Sequence, residues 1–224
     1  MAVPSVKVEP ATPGDLSAIV TMYFDAFSPS PLDSVFPPDG AGREYHRLAF
    51  AKFLAWEGED SSAAAGARPQ PELQCRVLAI RDSSTGAPQS IALLWIAQSS
   101  RGIRDWSQRW PDALPGMDGD AMVRFYEGMA RQHHAAMGEE GHIYLEIIMT
   151  HSSARKQGHA SALLAYATEL ADERGVGAYL DADENAMGLY QRHGFVHRKD
   201  VRRTSEFMFP MARAARQCRS MGSS

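Results

Sequence analysis

The sequence predicts a mixed α/β fold, a largely antiparallel central sheet flanked by helices, with one parallel pair of strands. Three observations carry this. Gln74 to Arg81 and Gln89 to Ala97 are strand-length apolar runs, joined by Asp82 to Pro88, a stretch of Ser, Thr, Gly and Pro that reads as a hairpin loop. The stretch from Tyr144 to Phe195 reads strand, glycine-bearing turn, helix, strand, short helix, strand, and a helical crossover is the connection that parallel neighbours need. Leu16, Ile19, Val20, Tyr23, Phe24 and Phe27 recur at helical spacing, which gives the sheet an amphipathic helix to pack under.

The remaining elements follow in order. Val6 to Glu9 alternates and reads as a short first strand, and Thr12 to Asp15 is a turn able to cap the first helix. Ser28 to Gly42 holds four prolines and must be a loop, long enough to act as a lid over a site. A second helix is expected over Arg43 to Trp56. Gly58 to Pro71 is rich in Ser, Ala, Gly and Pro. It reads as a surface loop and not a domain linker, because the elements before it are too few to fold alone. Trp106 to Gly119 is irregular, and Asp120 to Met137 is a helix with Met122, Phe125, Tyr126 and Met129 inward. Ser161 to Arg174 is a helix and Gly177 to Asp181 a strand. Gly194 to His197 and Arg203 to Met211 are the final strands, and the tail from Ala212 to Ser224 is expected to fray. The sequence shows no internal repeat.

Composition narrows the class. The 224 residues are 44% hydrophobic, enough for one substantial core. A net charge of −4 gives no global basic surface for nucleic acid or anionic membrane. The cluster Arg192, His193, His197, Arg198, Lys199, Arg202 and Arg203 reads as a solvated strand edge. Cys75 and Cys218 offer neither metal spacing nor a disulfide framework, which fits a reducing compartment. The first residues lack the basic and apolar regions of a signal peptide, and the apolar run Ile91 to Ala97 is too short to cross a bilayer. A soluble, intracellular, cytoplasmic protein is the expectation.

The chemistry is written in the stretch from Tyr144 to Phe195. The turn from Arg155 to Ala160 leads into a helix, and backbone N–H groups at a helix N-terminus hold phosphate or pyrophosphate. Tyr190 comes from a separate short element, where it can serve a reaction near that anion. Arg155, Gly158 and Ala160 in the turn, followed some thirty residues later by Leu189, Tyr190, Gly194 and Phe195, resemble the GNAT superfamily of acyl-CoA-dependent N-acetyltransferases. The resemblance covers roughly residues 143–196.

The resemblance implies a single N-acetyltransferase domain over residues 1–214, with 215–224 a flexible tail. It implies that acetyl-CoA binds as co-substrate where the two parallel strands splay apart, and that no metal is needed. Backbone amides of Lys156, Gln157, Gly158, His159, Ala160 and Ser161 would face the pyrophosphate, with charge from Arg155 and Lys156. Backbone groups of Ile148, Met149 and Thr150 would pair with the pantetheine arm as an added strand does. Tyr190 would protonate the leaving thiolate. Ser152 stands where many members carry proline. Asp183 stands where the commoner form has asparagine, and Asn185 is its nearest substitute for contacting the cofactor.

A base must take a proton from the ammonium of a primary amine before its nitrogen attacks. Glu146, in mid-strand, and Asp181, at the end of the next strand, are both candidates, directly or through a water; His151 and His159 are weaker ones. Phe27, Phe36, Trp106 and Trp110 lie on segments that would border the acceptor. The acceptor itself, a small-molecule or peptide amine, stays open, as does the choice between monomer and homodimer. Two other readings stand beside this one. One is a non-catalytic acyl-CoA-binding protein on the same scaffold. The other is a doubly wound nucleotide-binding domain, for which the glycine-rich motif is missing.

Overall fold

The computed structural model of the protein describes residues 6–61, 72–99 and 101–216. Its strands are β1 (Glu9–Pro10), β2 (Leu73–Arg81), β3 (Pro88–Ala97), β4 (His142–Thr150), β5 (Gly177–Ala182), β6 (Val196–His197) and β7 (Phe209–Arg213). They form one sheet in the order β1-β2-β3-β4-β5-β7-β6. Every pairing is antiparallel except β4 with β5. β5 follows β4 through α6 (His159–Arg174), the kind of helical crossover that a parallel pair requires. The other main helices are α1 (Leu16–Phe27), α2 (Gly40–Ser61) and α5 (Gly119–Met137), with the short α3 (Arg101–Arg104), α4 (Trp106–Arg109) and α7 (Met187–Arg192).

The pair β4 and β5 separates early. His142, Ile143 and Tyr144 register with Gly177, Ala178 and Tyr179, and the pairing goes no further. β4 continues to Thr150 bonded to β3 alone. The cause is local: Leu93 opposes Ile147 while Leu94 opposes Leu145, so Glu146 is an extra residue in β4. Such a bulge bends its strand and re-aims side chains. From Leu145 onward the β5-facing edge of β4 has no strand partner among the described residues.

Side-chain alternation divides the core into two layers. Tyr144, Ile147 and Tyr179 pack with α1, α2 and α5 on one face, together with Phe50, Phe53 and Trp95. Leu145, Leu180, Tyr190 and Phe195 pack with Leu163 and Leu164 of α6 on the other. The α1 start is set as its sequence suggests. Asp15 accepts from the Thr12 backbone N–H at 2.7 Å and pairs with Arg81 of β2 at 2.6 Å. The Arg81 guanidinium, bonded to Asp15, holds its carboxyl down at about 2.

Some boundaries differ from expectation. The first strand is Glu9–Pro10 and not Val6 to Glu9. The second helix runs past Trp56 to Ser61, so the expected loop over 58–71 begins helical and its remainder, 62–71, lies outside the described residues, as do Cys218 and the tail beyond Arg216. Within 106–119, α4 forms because Asp105 accepts from Ser107 Oγ and Gln108 Nε2 at 2.6 and 2.8 Å. The last strand starts at Phe209 and extends to Arg213, not from Arg203 to Met211. The backbone N–H of Thr204 donates to the Gln132 side chain of α5 at 2.9 Å and not to a neighbouring strand, which holds that segment off the sheet.

Candidate active site

A cavity of about 440 Å³ opens where β4 and β5 part. Its wall takes Leu145, Leu180 and Tyr190 from one core layer and Tyr144, Phe36 and Tyr126 from the other. The gap in the sheet is therefore a passage between its two faces. The proline-rich segment expected to form a lid lies along it, with Pro29, Ser30, Pro31, Leu32 and Phe36 in the wall; it includes a short 3-10 turn at Pro31–Ser34. Phe27 and Trp110 also line the cavity; Trp106 does not, but stacks on Tyr126 with ring centroids 4.8 Å apart.

Both candidate carboxylates reach this cavity, in opposite environments. Glu146 is turned by the bulge toward the α1/α2/α5 layer. There it accepts from the indole N–H of Trp95, from that of Trp110 at 2.9 Å, and from Arg109 Nη1 at 2.5 Å. The ion pair is enclosed, with side-chain exposures of 4% for Arg109 and 8% for Glu146. Arg109 is itself held by the carbonyl of Ile103 at 3.0 Å. Glu146 thus enters the wall with a counter-ion and two indole donors already on its oxygens.

Asp181 has no counter-ion among the described residues. Its Oδ1 accepts from the Tyr179 hydroxyl at 2.6 Å and from Gln132 Nε2 at 2.7 Å. Its Oδ2 is buried and has no partner among the described residues. Burial pushes its carboxyl up to about 6; the two hydrogen bonds act against that rise, and the charge of Glu146 adds to it. A carboxylate raised toward neutral pH, on a residue that lines a cavity, is a candidate proton acceptor.

Tyr190 closes the opposite layer from α7. Gly194, at φ 85°, lets the chain reverse so that the Phe195 N–H reaches the Tyr190 carbonyl at 3.2 Å. Phe195 then packs edge-on to the tyrosine ring at 6.3 Å. Packing and placement coexist, because Tyr190 also lines the cavity. Its hydroxyl makes no hydrogen bond to another described residue, and burial pushes its ionisation up. The phenol is therefore a proton holder at neutral pH.

The turn after β4 carries left-handed backbone at Lys156 (φ 64°) and Gly158 (φ 85°), and α6 starts directly behind it. A Cβ built on Gly158 would meet nothing within 4 Å, so glycine is set there by its φ and the outer side of the turn is open. The first amides of α6, from His159, Ala160 and Ser161, have no helical partner by geometry and stand available to an anion. Side chains of the turn are used otherwise. His159 is buried, 3.1 Å from Ser90 Oγ, which in turn donates to Thr150 Oγ1 at 3.0 Å. Burial lowers the His159 imidazole. Arg155 donates to the Asp25 carbonyl at 3.1 Å, and Gln157 to the Ser153 carbonyl at 3.3 Å. His151 caps the short turn at Ser152–Ala154 through Ser153. On β4, Ile148 joins Leu145 and Ile147 in the cavity wall, while Met149 packs into the α1/α2/α5 layer. Asn185 folds back on Asp183, with its N–H and Nδ2 on Asp183 Oδ1 at 2.9 and 3.0 Å, and it is Asp183 that borders the cavity.

Reading the sequence alone missed Gln132, Tyr179 and Arg109. Gln132 had a signal: it follows Met122, Phe125 and Met129 on the inward face of α5, where a buried amide needs a partner. Arg109 had none, since its partner lies 37 residues away.

A seven-stranded mixed sheet parting at its one parallel pair, with a glycine turn and helix after the first of those strands, is the acyl-CoA N-acyltransferase type of fold. Residues 93–195 match the model of the acetyltransferase (GNAT) family. Among solved structures, it is similar to histone acetyltransferase HPA2 and related acetyltransferase from Corynebacterium glutamicum, with 23% identity, TM-score 0.57, and 96% of this chain and 99% of that one covered. It is also similar to arylalkylamine N-acetyltransferase 2 from Aedes aegypti (12%, TM-score 0.62, covering 94% and 99%). A third is the PaiA N-acetyltransferase of Thermoplasma acidophilum in complex with coenzyme A (10%, TM-score 0.54, covering 94% and 99%). At these identities the likeness is one of fold. No curated protein matches the chain by sequence. No helix among the described residues is long and apolar enough to cross a membrane.

Proposed function

We propose that this protein is an acetyl-CoA-dependent N-acetyltransferase that acetylates a primary amine by direct attack within a ternary complex, residues 1–214 forming one catalytic domain. The observation that carries this reading is the cavity at the parting of β4 and β5, which has Asp181 in one layer of its wall and Tyr190 in the other. The glycine turn at the end of β4 supports the choice of co-substrate, as does the similar fold solved with coenzyme A. Amides of Lys156 to Ser161 would hold the pyrophosphate. The unpartnered edge of β4 over Ile148 to Thr150 would hold the pantetheine arm, and an N–H near the bulge would donate to the thioester carbonyl.

Acetyl-CoA supplies the acyl group as a thioester. Asp181 takes a proton from the acceptor's ammonium, which frees the nitrogen lone pair to bond to the acyl carbon. Tyr190 gives its phenolic proton to sulfur as the carbon–sulfur bond breaks. The nitrogen gives up its second proton as the intermediate collapses, and that proton restores Tyr190, while the proton held on Asp181 leaves to solvent, so one proton is released for each amide and free thiol formed. The reading extends to a cytoplasmic protein, monomeric or homodimeric, with no metal requirement.

Calorimetric titration with acetyl-CoA, with NAD and ATP as controls, tests the reading. Selective saturable binding at micromolar or tighter affinity is expected. Gly158→Glu should abolish it, because the side chain puts a like charge on the anion's side of the turn. Normal binding by that variant would remove the turn from the cofactor site.

A further inference from the structure

We infer that the acceptor is a compact monoamine with an apolar, preferably aromatic, body, and that the cavity selects against polyamines, amino acids, phosphorylated amines and peptides. This rests on the acetyltransferase reading above and names the substrate class of the same site. The argument starts from the composition of the wall. Much of it is made of rings: Phe27, Phe36, Trp110, Phe125, Tyr126 and Phe207. Rings in a preformed cavity stabilise an apolar body by removing its surface from water and by edge and face contacts.

The charges decide the rest. No Lys, Arg or His lines the cavity among the described residues. A carboxylate or phosphate on the acceptor would have to leave water without a cationic partner, which is costly. Of the two carboxylates on the α1/α2/α5 side of the parting strands, Glu146 is matched by Arg109 and two indole donors. Asp181 has neither a counter-ion nor a partner for its Oδ2 among the described residues. The interior therefore accommodates one ammonium, and a second cationic nitrogen would be buried among rings without a counter-ion. Asp183 stands at the exposed end and is already bonded to Asn185. A peptide is disfavoured on separate grounds. Its backbone amides need partners, while Pro29, Pro31 and Leu32 cover this side of the cavity, and the proline nitrogens donate nothing.

The test compares matched amines. Initial rates of thiol release from acetyl-CoA are measured with 2-phenylethylamine, tryptamine and hexylamine against phenylalanine, spermidine, glucosamine and a short peptide with a free N-terminus. Phenylethylamine and phenylalanine differ only by the carboxylate, so they isolate the missing cation. A preference in kcat/KM of at least roughly 100-fold for phenylethylamine is expected. Phe27→Ala should raise the KM for phenylethylamine about tenfold and leave the KM for acetyl-CoA unchanged. Binding of phenylethylamine is followed separately by tryptophan fluorescence, through Trp110, in the absence of acetyl-CoA. Turnover of spermidine, phenylalanine or the peptide at rates equal to phenylethylamine overturns the inference, as does absence of phenylethylamine binding by folded protein. Binding of phenylethylamine without binding of acetyl-CoA would overturn the transferase reading and leave the cavity assignment standing.

Discussion

Glu146 on β4 and Asp181 on β5 flank the same cleft and face the same layer of the core, yet their oxygens meet opposite surroundings. Glu146 meets a buried guanidinium and two indole N–H groups. Asp181 meets a phenol and an amide on one oxygen and no described residue on the other. In a low-dielectric wall the first arrangement is an ion pair whose value is to hold Trp95, Trp110 and α4 together around the bulge. The second leaves a carboxylate under-solvated, so that a proton is welcome on it near neutral pH. The contrast teaches that the strand position of a carboxylate does not decide its role. The donors that reach it from elsewhere in the chain decide it.

The largest effect that sharpens this contrast is expected from Asp181→Asn. Turnover at pH 8 should fall about 10²–10⁴-fold with acetyl-CoA affinity unchanged. An unchanged rate would hand the base role to Glu146 or to water. The same variant carries a stability signature of opposite direction. A carboxyl raised from 3.8 to about 6 binds its proton more tightly in the folded state than in the unfolded one. Its stabilising contribution is full below pH 3.8, is lost as pH rises through about 6, and leaves the native state burdened with a buried charge above that. The gap corresponds to up to about 3 kcal/mol at saturation. Asp181→Asn should therefore melt higher than the parent at pH 8 and no higher at pH 4, which thermal denaturation at the two pH values reads directly.

Glu146→Gln should do the reverse. It strands the Arg109 cation in the core, and losing one partner of a buried pair typically costs about 3–5 kcal/mol. Denaturant titration should show that loss, and the double variant Glu146→Gln, Arg109→Met should recover a good part of it. A Glu146→Gln protein that melts normally but has lost the ascending limb of its pH–rate profile would exchange the roles of the two carboxylates. Tyr190→Phe comes next. It removes a proton donor while keeping the ring that packs on Phe195, so kcat should fall about 10–10²-fold with the acetyl-CoA Kd unmoved in calorimetry. Retention of full turnover would reduce Tyr190 to packing.

What the sequence discloses tracks how local the determining interactions are. The turn from Arg155 to Ala160, the helix behind it and the Leu189 to Phe195 reversal were legible because each is built from neighbours: a glycine at positive φ, a helix start, a ring packed five residues on. The hairpin of β2 and β3 and the span of α1 were legible for the same reason, through period and turn chemistry. The bulge at Glu146 was not, because it exists only in the register against Leu93 and Leu94. Nor was the choice between Glu146 and Asp181, since the strand pattern alone makes them equal candidates. Their difference lies in Arg109, Trp95 and Gln132, which come from three distant segments. The shift of the last strand to Phe209 has the same origin, a single side chain of α5 capturing the backbone at Thr204.

The smallest effect tests the contrast most finely. Tyr179 is fully buried, stacks on His133 with ring centroids 4.1 Å apart, and donates its hydroxyl to Asp181 at 2.6 Å. Tyr179→Phe preserves the stack and deletes that one donor. A hydrogen bond to the charged form favours ionisation, so its loss should raise the Asp181 carboxyl further above about 6. The ascending limb of the kcat/KM profile should move to higher pH by less than Asp181→Asn abolishes it, and the rate at pH 8 should change by less than about tenfold. Stability should fall by about 1 kcal/mol, the ordinary net value of one hydrogen bond. A merely structural role for Tyr179 would lower the melting temperature and leave the position of the limb unmoved. Movement of the limb toward lower pH would contradict the assignment of Asp181 as the titrating base, because no other change in that variant removes a donor from a carboxylate in the cavity wall.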